Sequence, residues 1–247
     1  MLRGRQSLPL PGLPALGLLL APALLSACST VGIGRHVNPD TVDLTVLLAP
    51  PPAAGSAAAQ ADLDAVLAAQ ATRTPAEEKA AREDASVSVF RFADVLGPGF
   101  NAERLPKTEA VFKAAGKVST RIGFRAKQYW DRPRPFHASK EVKPAIRLAW
   151  GGSYPSGHSM YGCLSAVLLG TIVPERRTEL LARGDEYAQN RVVGGVHYPT
   201  DIAAGCTAGK IVAAVLLQDP EFQAGLAVAR DETRAALGLP ADPGPAN

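Results

Sequence analysis

Several features are scarce in this 247-residue sequence, and each scarcity excludes a class of protein. Neither sign of charge is in large excess, with 26 basic and 23 acidic side chains, which argues against a nucleic-acid-binding protein with a basic surface. Aromatic residues make up only 6% of the chain, yet hydrophobic residues make up 47%, so the chain can bury a core and is not disordered. Alanine and leucine are abundant instead, and because both favour helices, the composition predicts an all-α fold.

Long apolar runs are missing beyond the N-terminus, so no later segment is predicted to span a membrane. At the N-terminus, Arg3 and Arg5 precede a leucine-rich stretch, a pattern typical of a secretory signal peptide. This stretch ends in Leu-Ser-Ala-Cys at residues 25–28, which resembles the lipobox of bacterial lipoproteins and implies cleavage of residues 1–27 and acylation of Cys28. The alternative is an ordinary signal peptide cut near Ala27. We therefore expect a protein of the periplasm or cell envelope that contacts the membrane only through a lipid anchor.

Cysteine is also scarce, because Cys163 and Cys206 are the only cysteines after Cys28. Two cysteines in an oxidising compartment could form a disulfide, and two buried free thiols are equally compatible with the sequence. There is no C-x-x-C spacing, so no metal site built on cysteines is predicted.

The mature chain is predicted to divide into an irregular entry at residues 28–50, one helical domain at 51–239 and a disordered tail at 240–247. No segment alternates apolar and polar residues as a strand would, which favours a single helical bundle. Capping residues and apolar periodicity predict a helix opened by Pro220, a short helix within 141–150, and longer helices at 57–70, 75–95, 107–129, 157–172, 174–190 and 200–218.

Two motifs carry groups that bind anions. Lys127 is followed seven residues later by Arg134, and lysine and arginine side chains both suit phosphoryl oxygens. The sequence Pro-Ser-Gly-His at residues 155–158 opens a predicted helix, where free N–H groups and the Ser156 hydroxyl can hold an anion close to His158.

A third motif joins Arg191, His197 and Asp201. A carboxylate four residues after a histidine can bind one ring nitrogen, fix the tautomer and leave the other nitrogen as a nucleophile. Taken alone, each of the three motifs could be a set of solvated charges or a helix cap beside an ordinary histidine. Together they point to phosphate chemistry, whereas His36 and His137 are expected to face solvent.

Taken in order, these motifs resemble the signature K-x6-R-P, P-S-G-H and S-R-x5-H-x3-D of the bacterial class A non-specific acid phosphatases, in the type 2 phosphatidic acid phosphatase superfamily. The one departure is Asn190, where the family usually has serine. The proline-rich stretch 47–56 and the segment 152–159 are also similar to that family. The resemblance implies a single-domain helical bundle of the acid phosphatase/vanadium-dependent haloperoxidase type, without a metal or other cofactor.

The resemblance also implies a role for each motif residue. His197 would attack phosphorus to form a covalent phosphohistidine, Asp201 would orient it, and His158 would act as the acid and then the base. The phosphate oxygens would be held by Lys127, Arg134, Ser156, Gly157 and Arg191. The implied substrates are small phosphomonoesters such as nucleotides, sugar phosphates and aryl phosphates, hydrolysed on the acidic side of neutrality, and the chain could form a homo-oligomer.

Three other functions stay open at the level of sequence. A vanadium-dependent haloperoxidase would use His197 to ligate vanadium, but the short chain and the proline-rich entry argue against it. A lipid-phosphate phosphatase is disfavoured because such relatives span membranes. A lipoprotein that only binds phosphate would not need two histidines together with Asp201.

Overall fold

The computed structural model describes residues 41–148 and 150–241, together with Met1 and Asn38. The expected signal segment, Cys28, His36, most of the entry and nearly all of the expected tail lie outside these residues. The described secondary structure is helical and contains no strand. Its α-helices are α1 Leu44–Leu47, α2 Ala57–Thr72, α3 Pro75–Glu83, α4 Ala93–Leu96, α5 Pro106–Trp130, α6 Pro135–Ala138, α7 Gly157–Ile172, α8 Arg177–Val193, α9 Pro199–Leu216 and α10 Pro220–Ala236.

Capping residues fix the start of three helices where the sequence predicts them. The Ser56 side chain accepts a hydrogen bond from the N–H of Ala59 and so caps α2. Thr74 and Glu77 form a reciprocal capping box at the start of α3. Asp219 accepts the N–H of Phe222 at 2.8 Å, and Pro220 takes the first position of α10.

The predicted helix at 75–95 is wrong, because α3 ends at Glu83. The next residue, Asp84, is fully buried and turns its carboxylate inward onto Arg183, Arg91 and Asn190. After the loop at 84–88, a 3₁₀ turn at Val89–Phe92 leads into the short helix α4. Tertiary contacts of the loop therefore override the helical pattern of the sequence.

The predicted short helix within 141–150 is also wrong, and the one-turn helix α6 precedes this stretch instead. Pro144 has no N–H for a helical hydrogen bond, and the N–H of Ala145 bonds the carbonyl of Gly194. The carbonyls of Trp150 and Gly151 turn toward Arg134, so this segment serves the site rather than a helix.

Helix α7 lies at the centre of the bundle, buried along most of its length and packed against α8 and α9. Helix α9 approaches it closely through two glycines: a Cβ on Gly205 would lie 2.6 Å from the carbonyl oxygen of Ser156, and one on Gly209 would clash with the carbonyl of Met160. A disulfide joins Cys163 of α7 to Cys206 of α9, with the two Cα atoms 5.1 Å apart. The start of α7 is thereby held against the start of α9.

The packed part of the chain begins before residue 51, since Val42, Leu44 and Leu48 belong to the core that also contains α5, α7 and α10. In the described residues, no single helix is long and apolar enough to cross a membrane. Helices α9 and α10 reach that length and hydropathy only as a pair, with a bend of 99° between them.

Candidate active site

A buried histidine and carboxylate form the centre of the site, at the start of α9. Nδ1 of His197 lies 3.2 Å from Oδ2 of Asp201, and both residues are at most 1% exposed. The same carboxylate oxygen accepts the N–H of Tyr198 at 2.9 Å and the hydroxyl of Ser153. Because Asp201 can only accept, it fixes the proton of His197 on Nδ1 and leaves a lone pair on Nε2.

The lone pair on Nε2 of His197 faces the guanidinium of Arg134, whose Nη1 lies 3.0 Å away. That guanidinium is held by backbone carbonyls, among them Gly151 at 3.0 Å and Val196 at 2.9 Å. Arg134 is therefore fixed in one orientation, with its charge beside Nε2 of His197.

The protonation states of this pair follow from burial and mutual contact. Burial keeps the pKa of His197 well below its usual value, although the Asp201 carboxylate opposes this effect. Burial alone would raise the pKa of Asp201, but the hydrogen bond from His197, the charge of Arg132 and the hydrogen bond from Ser153 more than offset it and leave that pKa lowered. Neutral imidazole beside ionised carboxylate is the arrangement of a nucleophile held by an acceptor.

Two further cations, Lys127 near His197 and Arg191 near His158, have no carboxylate partner of their own in the described ranges. Arg191 is 1% exposed, and its Nε and Nη1 have no hydrogen-bond partner among the described residues. Lys127 donates from Nζ to the carbonyl of Gly152 at 2.9 Å. Burial lowers the pKa of Arg191 to about 10 and that of Lys127 to about 7. The two Arg191 donors that lack acceptors, in a buried cation, indicate a site built for an anion.

The N-terminus of α7 adds neutral donors to the same place. Ser156 caps the helix, and its Oγ accepts hydrogen bonds from both the N–H and the hydroxyl of Ser159, which leaves its own O–H free to donate. The N–H groups of Gly157 and His158 have no acceptor in the described part of the chain. Free N–H groups at a helix start attract a negative charge.

His158, in the first turn of α7, is placed by a loop from the other side of the bundle. Its Nε2 lies 3.1 Å from the carbonyl oxygen of Ala85, so the proton sits on Nε2 and the lone pair on Nδ1. Burial, and next the charge of Arg191, lower the pKa of His158 to about 3. With this pKa His158 is neutral near neutral pH, and the charge of a bound phosphate would raise its affinity for a proton.

The structure thus brings all eight residues expected to form the site to one place, between the starts of α7 and α9. These are Lys127, Arg134, Ser156, Gly157, His158, Arg191, His197 and Asp201. The disulfide of Cys163 and Cys206 lies further along the same two helices. Chemically, the unprotonated Nε2 of His197 lies against the guanidinium of Arg134, with two further cations and several N–H or O–H donors in the same site, which suits transfer of a phosphoryl group.

Comparisons with known proteins agree with this geometry. The model of the PAP2 superfamily matches residues 111–223, the segment that carries the eight residues. The non-specific acid phosphatase of Salmonella typhimurium is 35% identical over 206 residues, covering 80% of this chain and 82% of that protein. That of Providencia stuartii is 32% identical over 210 residues, covering 79% and 82%.

The chain belongs to the class A non-specific acid phosphatases of the PAP2 superfamily. A bacterial vanadium-dependent iodoperoxidase shares the fold of this phosphatase, with a TM-score of 0.54 and 18% sequence identity. The match covers 69% of this chain and 51% of the iodoperoxidase. The two belong to one architecture, as the sequence predicts.

Sequence reasoning missed several residues that support the phosphatase site. Arg132 bridges two buried carboxylates, with Nη1 2.7 Å from Asp201 and Nη2 2.7 Å from Asp62, and its guanidinium lies 4.0 Å from the centre of the Tyr198 ring. The stretch from Trp130 to Arg134 contains two arginines, and only the second was assigned a role. Ser153 lies in a segment already noted, but its contact with Asp201 follows from the tertiary structure alone.

The departure of this phosphatase from its family at Asn190 has a structural account. Nδ2 of Asn190 donates to Oδ2 of Asp84 at 2.8 Å, and Asp84 also binds Arg91 and Arg183. The residue before Arg191 therefore binds Asp84 and anchors the loop that presents the carbonyl of Ala85 to His158.

Proposed function

We propose that this protein hydrolyses phosphomonoesters through a covalent phosphohistidine on His197, without a metal ion. The observation that carries the proposal is the orientation of that imidazole: Nδ1 contacts Asp201, and Nε2 contacts a guanidinium that can bind phosphate. A scaffold that merely packs would not aim a histidine lone pair at an anion site. The supporting positive charge comes from Lys127, Arg134 and Arg191, which can stabilise the negative charge on the oxygens of the transferred phosphoryl group.

In the first step, Nε2 of His197 attacks phosphorus while the bond between phosphorus and the ester oxygen breaks. The leaving oxygen takes a proton from Nδ1 of His158, which a bound dianion has helped to protonate. In the second step, His158 removes a proton from water, and the resulting oxygen attacks phosphorus and breaks its bond to His197. Phosphate leaves, and His158 is again protonated for the next cycle.

The proposed substrates are nucleotides, sugar phosphates and aryl phosphates. The cations of the cluster and the free N–H groups of α7 can all contact the phosphoryl group, so the leaving group contributes less to recognition than phosphate does. We expect hydrolysis on the acidic side of neutrality, where Lys127 carries its charge and His158 can be protonated in the complex.

The test is hydrolysis of p-nitrophenyl phosphate in mildly acidic buffer with EDTA, with and without vanadate. We expect turnover that survives EDTA and is blocked by vanadate, and rapid quenching should trap an acid-labile phosphoprotein. His197→Ala should lower kcat by roughly 10³–10⁶-fold. His137→Ala, which removes an exposed histidine in edge-to-face contact with Phe136, should leave kcat unchanged. Loss of activity in EDTA that added metal restores would contradict the metal-free mechanism. Halide oxidation with peroxide and vanadate, without ester hydrolysis, would instead indicate a haloperoxidase.

We also propose that the protein acts in the cell envelope, anchored by lipid at Cys28. The signal-like N-terminus and the lipobox-like segment 25–28 support this placement, and a disulfide between Cys163 and Cys206 is typical of an oxidising compartment. Metabolic labelling with a fatty acid should mark the wild-type protein and fail to mark Cys28→Ser. A label retained by Cys28→Ser would contradict the anchor.

A further inference from the structure

A cleft of about 730 Å³ opens directly from the anion site, between α5 and the start of α7. Lys127, Gly157 and His158 belong both to the site and to the lining of this cleft. Because His158 protonates the leaving oxygen in the proposed mechanism, that oxygen must face His158, and the group attached to it must point toward the cleft. The cleft is therefore where the non-phosphate part of a substrate lies.

The part of the cleft nearest the phosphate is apolar. Phe124 precedes Lys127 by about one turn of α5 and is 57% exposed, and Val87, which also lines the cleft, is 57% exposed as well. Large apolar side chains left in contact with water beside a polar site are typical of ligand-binding surfaces. An aromatic ring is the partner that the face of Phe124 fits best.

The outer part of the cleft is cationic. Lys117 and Arg121 line it, both are exposed, and neither contacts an acidic side chain among the described residues. Lys113, at the far end, is instead paired with Glu109 at 2.8 Å. Arg121 lies six residues before Lys127, about 9 Å along the helix axis. No acidic residue of the described chain lines the cleft to balance these charges.

We propose that this cleft is a leaving-group subsite that selects aromatic phosphomonoesters with a second negative charge, held by Arg121 and Lys117 beyond the ring on Phe124. The proposal rests on the proposed phosphatase function and adds a substrate class to it. An acidic group attached to an aromatic ring would place its charge near these two cations while the phosphate occupies the anion site.

Two substrates of nearly the same shape distinguish the effect of the second charge from the effect of size. They are p-nitrophenyl phosphate, with a neutral planar nitro group, and 4-carboxyphenyl phosphate, with a planar anionic carboxylate. The double variant Arg121→Ala/Lys117→Ala should lower kcat/KM for the carboxylate substrate by about fivefold, mainly through KM, because exposed ion pairs are weak. It should change kcat/KM for the nitro substrate by less than about twofold, and the difference should fade in high salt. Lys210→Ala, which removes an exposed charge from α9, is the control.

The aromatic part is tested by Phe124→Ala, which should lower kcat/KM for both aryl substrates by about three- to tenfold relative to glycerol 2-phosphate. Tyr129→Ala, an exposed aromatic residue of α5 outside the cleft lining, should not do so. The proposal is overturned if the double variant affects the nitro and carboxylate substrates equally, or affects neither. A wild-type protein that hydrolyses neither substrate would contradict the phosphatase function itself, and the subsite with it.

Discussion

At the scale of single residues, the site is defined by charges that the folded chain itself does not neutralise. Arg191 is buried with two guanidinium nitrogens unpartnered among the described residues, and burial moves the pKa of Lys127 to about 7. Such groups cost folding free energy in the absence of an anion. Replacing one of these cations by an apolar residue should therefore raise the free energy of unfolding and lower the activity.

Arg191→Met tests this opposition. It replaces a buried unpaired cation by an apolar side chain of similar length, so the free energy of unfolding without phosphate should rise by about 1–3 kcal/mol. Activity should fall, with kcat/KM lower by about 10²–10³-fold, because one donor to the phosphoryl oxygens is lost. Urea unfolding and steady-state kinetics measure the two effects, and Arg176→Met, at an exposed position before α8, is the control. A variant that is both less stable and inactive would show that Arg191 is structural.

The pKa of Lys127 predicts a pH dependence with a definite sign. Lys127 is charged below about pH 7 and neutral above it, so kcat/KM for an aryl phosphate should fall as the pH rises through that value. Lys127→Arg keeps the positive charge at higher pH, so the fall should move upward by at least one pH unit even if kcat is lower. A fall at the same pH in both proteins would assign it to another group.

At the scale of secondary structure elements, the loop at 84–88, which follows α3, positions His158 of α7. Asp84, at the end of α3, joins the guanidinium groups of Arg91 and Arg183 to the amide of Asn190. The next residue, Ala85, gives its carbonyl to His158, and Ser86 gives its carbonyl to the hydroxyl of Tyr187 at 2.7 Å. The buried ion cluster thus fixes the tautomer of a histidine on another helix.

Asp84→Ala should lower the free energy of unfolding by about 3–5 kcal/mol, because Arg183 would stay buried without its main partner. Asp94→Ala is a matched control: Asp94 also contacts Arg183, but it is 52% exposed, and its loss should cost less than about 1 kcal/mol. Chemical denaturation measures both. If both variants lost the same free energy of unfolding, the burial of Asp84 would not increase its contribution to stability.

The sequence predicts helix starts better than helix ends. Ser56, Thr74 and Asp219 each act on a residue three positions later, so their caps are visible in the sequence. The end of α3 at Glu83 depends on the contacts of Asp84 with Arg183 and Asn190, about a hundred residues later. Apolar periodicity within a segment cannot predict contacts that are so distant in sequence. The eight site residues could be named from motif spacing, whereas Arg132 and Ser153 are recognisable only once α9 lies beside α7.

At the scale of the whole molecule, α7, α8 and α9 form a closely packed unit, and α5 lies along it carrying Lys127 and the wall of the cleft. The all-α class follows from composition and periodicity. The order of packing does not, because close approach depends on glycines such as Gly205 and Gly209 meeting particular carbonyls. For the same reason the sequence left the pairing of Cys163 and Cys206 open, since only the folded chain makes α7 and α9 neighbours.

Inorganic phosphate should stabilise the whole fold by binding this unit. At a hundred times its Kd, a ligand of the native state adds about 2.7 kcal/mol, which for a domain of this size raises Tm by about 5–10 °C. Differential scanning calorimetry with phosphate, against chloride at equal ionic strength, measures the shift. Arg191→Met should lose most of it, and an equal shift in both proteins would place the bound phosphate elsewhere.

The uncompensated cations around His197 have a consequence for how the enzyme behaves over time. The product of the reaction is also the counterion that the fold lacks, so each catalytic cycle ends in the most stable form of the protein. Where phosphate is abundant, we expect the site to be occupied, the folded protein to be stabilised and its activity to be inhibited by the product. Where phosphate is scarce, the active site is open to substrate, and the protein is at the same time least stable to unfolding. Demand for its activity and its own vulnerability to degradation therefore rise together.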